Sequence, residues 1–241
     1  NQYSREKLQG DIEALESFYL DRGYLKFSIE SSQVSISRDR SSIYITYLIS
    51  EGPKYNISEV KVVGDLPIEE SLIDPLLDSQ KNTTYSQAQI TQIESIITSL
   101  LGNQGYAFAS VTGQPEINEQ LLKVDLNFIV DPGKRTYTRK ILFEGNELTQ
   151  DNVLRREMRQ FEGAWASDDK IEQSKIRLER LGFFREVNVE TIPVPGTDDQ
   201  IDVKFSIEEE TTGNVGGNLG YSDFGLMLGF NLQERNFLGT G

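Results

Sequence analysis

The chain has neither cysteine nor histidine among its 241 residues. The two absences remove disulfides, thiol nucleophiles, imidazole bases and the usual zinc ligands together. Most hydrolytic mechanisms therefore lose their base. Lack of cysteine fits either redox compartment, since an oxidising space permits disulfides without requiring them. Cations are also scarce: 24 Lys plus Arg stand against 38 Asp plus Glu, a net charge of −14. A surface that tracks a phosphate backbone needs clustered cations, so the composition argues against a nucleic-acid partner. No apolar run reaches the roughly eighteen residues that a spanning helix needs, which excludes a helical membrane protein. A β-barrel escapes this test, because its strands are short and alternating. The chain opens at Asn1 without Met or a leader-like segment, so the expectation is a fragment or a processed product.

What is present is a repeat. Gly23, Gly105 and Gly182 each follow a helical run and precede an aromatic, in DRGY, NQGY and RLGF, at steps of 82 and 77 residues. Gly52 and Gly133 form a second series, and Gly64 and Gly145 a third, each 81 apart. Three markers in one order fix a period of about eighty residues. The unit reads β-α-α-β-β. Its clearest start is Arg135 to Trp165: an alternating strand over Tyr137–Glu144, a break at Gly145-Asn146, Thr149 as a candidate cap, and Val153, Leu154 and Met158 at helical spacing up to Gly163. A first, incomplete copy predicts a helix from Ser4 to Arg22 and strands around Phe27–Ile36 and Ile43–Ile49, joined by the polar turn SRDRSS. The second copy predicts a strand over Tyr55–Val63, helices over Pro67–Leu77 and Ser86–Leu101, and strands near Phe108–Ile117 and Leu121–Val130. The third ends in a helix near Asp168–Leu181 and strands over Arg185–Ile192 and Gln200–Glu208. Ile90, Ile93, Ile97 and Leu100 make one buried stripe, which packing explains better than a cofactor. The resulting fold class is α+β, with boundaries at residues 1–51, 52–131, 132–210 and 211–241.

After Glu208-Glu209-Glu210 the pattern changes. Val215, Gly217, Leu219 and Tyr221 alternate with Asn214, Gly216, Asn218 and Gly220, and Leu226, Leu228, Phe230 and Leu232 alternate with Met227, Gly229, Asn231 and Gln233. Two strands with one apolar face and one small or polar face are what a membrane barrel presents to lipid and lumen. A soluble edge hairpin is the alternative. The glycines have the wrong spacing for a dinucleotide fingerprint.

These features resemble the POTRA repeats of the outer-membrane Omp85 superfamily, most closely at LRREMRQFEGAW, RKILFEGN, RLGFF and NFLGTG. The resemblance implies the end of a third repeat, complete fourth and fifth repeats, and the first two barrel strands. It implies an assembly role at the outer membrane, with the repeats in the periplasm and with no enzyme activity, nucleotide, metal or other cofactor. Implied partners are unfolded outer-membrane proteins, the lipoprotein BamD and other lipoproteins of the assembly machine. Clients would add a strand to an exposed sheet edge, the second strand of each unit, which makes Phe27, Ile29, Val34, Ile36, Val111, Val187 and Val189 the edge candidates. The matching helix makes Glu157 the candidate for lipoprotein docking, flanked by Arg155, Arg156 and Arg159. The first barrel strand would be a lateral gate, with Gly216, Gly217 and Gly220 leaving few side chains to hold its register. Another branch of the superfamily, TamA-like or a two-partner secretion pore, is the alternative. The acid clusters Asp168-Asp169, Asp198-Asp199 and Glu208-Glu209-Glu210 give an enzymatic reading little support, because capping and solvation explain them. DDQID likewise lacks the loop length and glycine of a calcium site.

Overall fold

The computed structural model describes residues 5–39, 43–211 and 213–241. The predicted helix start at Ser4 and the turn residues Arg40, Ser41 and Ser42 lie outside the described residues. The chain divides into two units, one comprising Asn1–Leu100 and Ala109–Pro132, the other Leu101–Phe108 and Gly133–Gly241.

In the first unit, helix α1 (Arg5–Leu20) half-buries Leu8, Ile12, Leu15 and Tyr19, the stripe that its periodicity predicts. An antiparallel hairpin follows, β1 (Ser28–Ile36) with β2 (Ile43–Ser50). Phe27 is not part of it. A turn closed by the Phe27 N–H on Tyr24 O at 3.0 Å folds the ring back on Tyr19, where the two rings stack at 4.2 Å. Strand β3 (Asn56–Gly64) then leads through a 3-10 turn, Glu70–Leu72, into helix α2 (Asp74–Gln80). One continuous helix from Pro67 was expected; instead the α-helix starts at Asp74, with Pro75 in the first turn, where its missing N–H leaves no bond broken. Helix α3 (Gln87–Asn103) and strands β4 (Ser110–Asn118) and β5 (Lys123–Asp131) complete the copy. Ser86 caps α3 by accepting the Gln89 N–H.

In the second unit, strand β6 (Tyr137–Glu144) precedes helices α4 (Asp151–Glu157) and α5 (Asp168–Glu179), strands β7 (Phe184–Pro193) and β8 (Gln200–Glu209), and the hairpin β9 (Asn214–Ser222) with β10 (Gly225–Gln233). Helix α4 is shorter than its apolar spacing suggests. Met158 is extended (ψ 137°), and the Arg159 and Gln160 N–H groups turn to the Ser174 hydroxyl on α5 at 2.8 and 3.3 Å. Thr149 is not its cap either: its N–H goes to Glu209, and Gln150 holds the cap position without a side-chain bond to the helix's first N–H groups.

The two complete copies share one topology. The sheet orders are β3-β5-β4 and β6-β8-β7, with the first strand parallel and the second antiparallel to the central third. Both parallel pairs slip register at the same place, between Ile57 and Val60 and between Thr138 and Lys140. That bulge overturns the predicted alternation of β6: Ile141 stays buried while Arg139 turns to Asp202, on the face opposite Ile201 and Val203. Gly64 (φ +114°) and Gly145 (φ +89°) end the two first strands, and a β-carbon at either would overlap a carbonyl oxygen, Val130 O and Ile207 O respectively. The repeat read from glycine spacing is thus a repeat of backbone conformation. Helices cover one face of each sheet, over cores built on Ile57, Ile90, Ile97, Leu126 and Phe128 in the first unit and on Ile141, Leu154, Leu178, Val203 and Phe205 in the second. Burial of these side chains, at about 25 cal/mol per Å² of apolar surface, is the main stabilising term of each copy.

In the terminal hairpin Leu226 faces Tyr221, Leu228 faces Leu219 and Leu232 faces Val215, all exposed, so the apolar stripe read from the sequence lies on one side of a two-stranded sheet. Of the three β9 glycines, Gly216 is the crowded one: a β-carbon there would strike the Asn231 carboxamide, whereas those at Gly217 and Gly220 would only graze Phe230 and Met227.

Candidate functional site

A three-stranded sheet has two rims, and each rim strand presents backbone N–H and C=O groups that must pair, be capped or meet water. The first-strand rims are covered over their first residues by the chain's own backbone. In the first unit Ile57 N–H donates to Thr83 O (2.8 Å), Asn82 N–H to Ile57 O (3.0 Å) and Tyr85 N–H to Tyr55 O (3.2 Å). In the second, Thr138 N–H donates to Ala164 O (2.9 Å), Gly163 N–H to Thr138 O (2.7 Å) and Ala166 N–H to Thr136 O (3.0 Å). Side chains finish the second rim. Glu162 Oε1 accepts the Ile141 N–H at 2.8 Å, Arg155 Nη2 donates to Ile141 O at 3.2 Å, and the same two side chains pair with each other at 3.3 Å. EGAW, which the sequence offered only as a likeness, is the segment that seals β6.

The second strands, predicted as the rims, are at the rims: β4 and β7 each have one neighbour. Ile29, Val34 and Ile36 lie on β1, Val111 on β4, and Val187 and Val189 on β7. Val34 and Ile36 are exposed; Val187 is buried and Val189 packs on the core. At β4 the rim carries a cap of its own: Glu94 Oε1, from α3, accepts the Gly113 N–H at 2.6 Å. Two residues on, Pro115 has no N–H to offer. Glycine and proline inside an alternating run were the signal for this in the sequence.

The docking candidates on and beside α4 are held inside the second unit. Glu157 Oε2 accepts from Arg177 Nη2 at 2.6 Å, and Arg156 Nε lies 3.6 Å from Glu157 Oε1, leaving that carboxylate only 14% exposed. Arg155 Nε also pairs with Asp151 Oδ2 at 2.6 Å. Arg159 lies beyond the helix. The structure thus brings Glu157 and Arg156 together and spends Arg155 on the β6 rim. Sequence reasoning missed Arg177, which approaches from α5. Nearby, Asn236 Nδ2 donates to the Thr149 hydroxyl at 2.7 Å and Gln150 N–H to Gly239 O at 3.0 Å, so NFLGTG lies against the start of α4. Burial alone would raise the Glu209 carboxyl; bonds from the Thr149 hydroxyl and from the Leu148, Thr149 and Glu147 backbone hold it below its usual range.

Among the described residues no cluster of three or more acidic side chains is arranged to hold a metal. No described helix is long and apolar enough to cross a membrane, which says nothing about strands.

The family model for POTRA, described as the surface antigen variable number repeat, matches residues 1–52, 55–133 and 136–210. The chain belongs to the POTRA family. The chain is 35% identical, over 99% of its length, to the outer membrane protein assembly factor BamA of Buchnera aphidicola, and 31% identical over its full length to that of Neisseria meningitidis. The chain spans 39% and 30% of the lengths of these two curated relatives. Among solved structures it is similar to POTRA repeats 3–5 of Haemophilus influenzae BamA: TM-score 0.75 and 31% identity, covering 87% of this chain and 83% of that one. A Haemophilus ducreyi BamA lacking POTRA domains 1–3 gives a TM-score of 0.66 and 42% identity over 77% of this chain and 35% of that one.

Proposed function

We propose that this chain is the periplasmic scaffold region of an outer-membrane protein assembly factor, comprising the end of its third POTRA repeat, its fourth and fifth repeats and the first two strands of its barrel. It works without bond-making chemistry. Extended outer-membrane client polypeptide adds to a second-strand rim through backbone hydrogen bonds, which tolerates many client sequences. The observation that carries this reading is that β4 and β7 are rim strands with a single strand neighbour each, while loop backbone of the chain itself already bonds the start of the opposite rims, β3 and β6. The surface around Glu157 and Arg156 docks a partner lipoprotein of the BamD type. The hairpin β9–β10, with its one-sided stripe of Leu219, Leu226, Leu228 and Leu232, enters the outer membrane, and the glycines of β9 let its outer edge exchange partners as a lateral gate.

The test is an NMR titration of the isotope-labelled chain with a peptide of alternating apolar and polar residues. Amide signals of a second strand move and those on the helix surfaces stay. Perturbation confined to helices, or none at saturating peptide, would sink strand addition.

A further inference from the structure

The two complete repeats differ at three positions that together decide whether the second-strand rim is open. In the first unit the residue facing the central Phe128 is Gly113; in the second the residue facing the central Phe205 is Val189. Because the Gly113 N–H reaches a side chain outside the sheet, it points away from β5, and its counterpart Val189 N–H points away from β8 by the same register. Glycine lets α3 approach. A β-carbon at Gly113 would come within 2.6 Å of Ile90 Cγ2 and 3.2 Å of Glu94 Oε1. That close approach is what brings the Glu94 carboxylate onto the rim.

In the second unit each of these parts is replaced. Val189 fills the space that glycine leaves empty, packing on the core. Counting from the N-cap serines, Ser86 and Ser167, the position held by Glu94 on α3 is held by Lys175 on α5. A lysine has no acceptor to offer a backbone N–H, and Lys175 pairs instead with Glu179. Where β4 has Pro115, facing Leu126, β7 has Thr191, facing Val203, with its N–H intact. Among the described residues no side chain caps a backbone group of β7.

The geometry points to β7 as the strand-accepting rim of the two complete repeats, with β4 shut by the Glu94–Gly113 cap, and to an extended polypeptide alternating apolar and basic residues as its occupant. This rests on the strand-addition reading above. The alternation follows from the two faces of β7. Val187, Val189 and Thr191 face the same way as the buried Ile207, Phe205 and Val203, so an added strand sets apolar side chains beside them. On the other face Glu186 and Glu190 are exposed, where cations in register are favoured. The net charge of −14 acts in the same sense.

The chain has no cysteine, so a single introduced thiol reports one rim. Asn188→Cys marks β7 and Thr112→Cys marks the equivalent exposed position of β4, each immediately before the residue that faces the central phenylalanine. The probe is a peptide as long as β7, alternating Val and Lys, with one central Cys; a second peptide carries Glu for Lys. Disulfide trapping of the lysine peptide is expected to run about tenfold faster at Asn188→Cys than at Thr112→Cys, the ratio that one or two backbone hydrogen bonds supply. The glutamate peptide is trapped more slowly. Adding Glu94→Ala raises trapping at Thr112→Cys, and Glu94→Gln, whose amide oxygen still accepts, leaves it low. The reciprocal pair Val189→Gly with Lys175→Glu lowers trapping at Asn188→Cys. Equal trapping at both rims, or a Thr112→Cys rate unmoved by Glu94→Ala, overturns the rim assignment while strand addition stands. Equal rates for the two peptides overturn the basic occupant. Trapping at neither rim overturns strand addition itself and the assignment with it.

Discussion

Glu162 and Ile141 are joined by a hydrogen bond in which a side-chain carboxylate accepts a strand N–H at 2.8 Å, while Arg155, paired with the same carboxylate, donates to the Ile141 carbonyl. One ion pair thus completes both vacancies of a rim residue. Exposed ion pairs alone contribute little, but here each partner also satisfies a backbone group. Glu162→Ala is expected to lower stability by about 1 kcal/mol and to speed hydrogen exchange at the Ile141 amide about tenfold, with β8 amides unchanged. An unchanged Ile141 rate would show that the rim is closed by the backbone bonds at Thr138 alone.

The lipoprotein docking proposed at Glu157 makes Arg177 a competitor for that carboxylate. Arg177 holds the Glu157 carboxylate at 2.6 Å, so any partner cation must compete with it. Arg177→Met should free Glu157 and tighten binding of the lipoprotein severalfold, whereas Glu157→Ala should weaken it by about 1–3 kcal/mol. Calorimetric titration with the purified lipoprotein decides. Weaker binding in Arg177→Met would mean that the Glu157–Arg177 pair, rather than the free carboxylate, is the recognised feature.

Gly64 and Gly145 serve the same purpose in different units. Both have positive φ, and both bring the strand end against a carbonyl of the central strand, Val130 O or Ile207 O. Gly64→Ala and Gly145→Ala should each cost about 3 kcal/mol or more, from left-handed strain and a steric overlap that only backbone movement relieves. Urea unfolding followed by exchange at β5 and β8 amides should place the first loss in the first unit and the second loss in the second. A cost below about 1 kcal/mol at either would mean that the strand end relaxes freely.

Gly64 and Gly145 also show why the fold was legible in the sequence. Backbone positions that only glycine tolerates recur at a fixed spacing, so the repeat is written in residue identity and the order of elements, β-α-α-β-β, follows from its copies. Helix ends and rims are written in contacts between distant residues. Helix α4 stops at Glu157 because Ser174, on another helix, takes the Arg159 and Gln160 N–H groups, and apolar spacing through Met158 carries no trace of that. Glu94 reads as one more exposed helix residue until Gly113 is seen beside it. Arg155 likewise reads as a surface cation of the docking helix, and its bond to Ile141 O needs a strand 14 residues upstream. Phe27 continues an alternating run in sequence, yet the turn at Tyr24 takes it out of the strand.

The buried tyrosine of the first unit gives a pH prediction. Tyr85 is 2% exposed, its hydroxyl donates to Gln87 Oε1 at 2.6 Å, and burial, with the charges of Glu94 and Asp21, pushes its pKa up to about 12 from the ordinary 10.0. The folded chain therefore keeps this proton where the unfolded chain releases it. Between about pH 10 and 12 the unfolded state binds fewer protons, so stability falls as pH rises. The contribution is whole below pH 10 and is lost as pH climbs towards 12; by linkage it amounts to about 3 kcal/mol. Tyr85→Phe removes the titrating group and leaves the ring in place. Thermal melts from pH 8 to 11.5 should show the parent losing its stability advantage over the variant with alkalinity, the two curves converging above pH 10. Parallel curves across that range would mean that Tyr85 ionises in the folded state as readily as in the unfolded one.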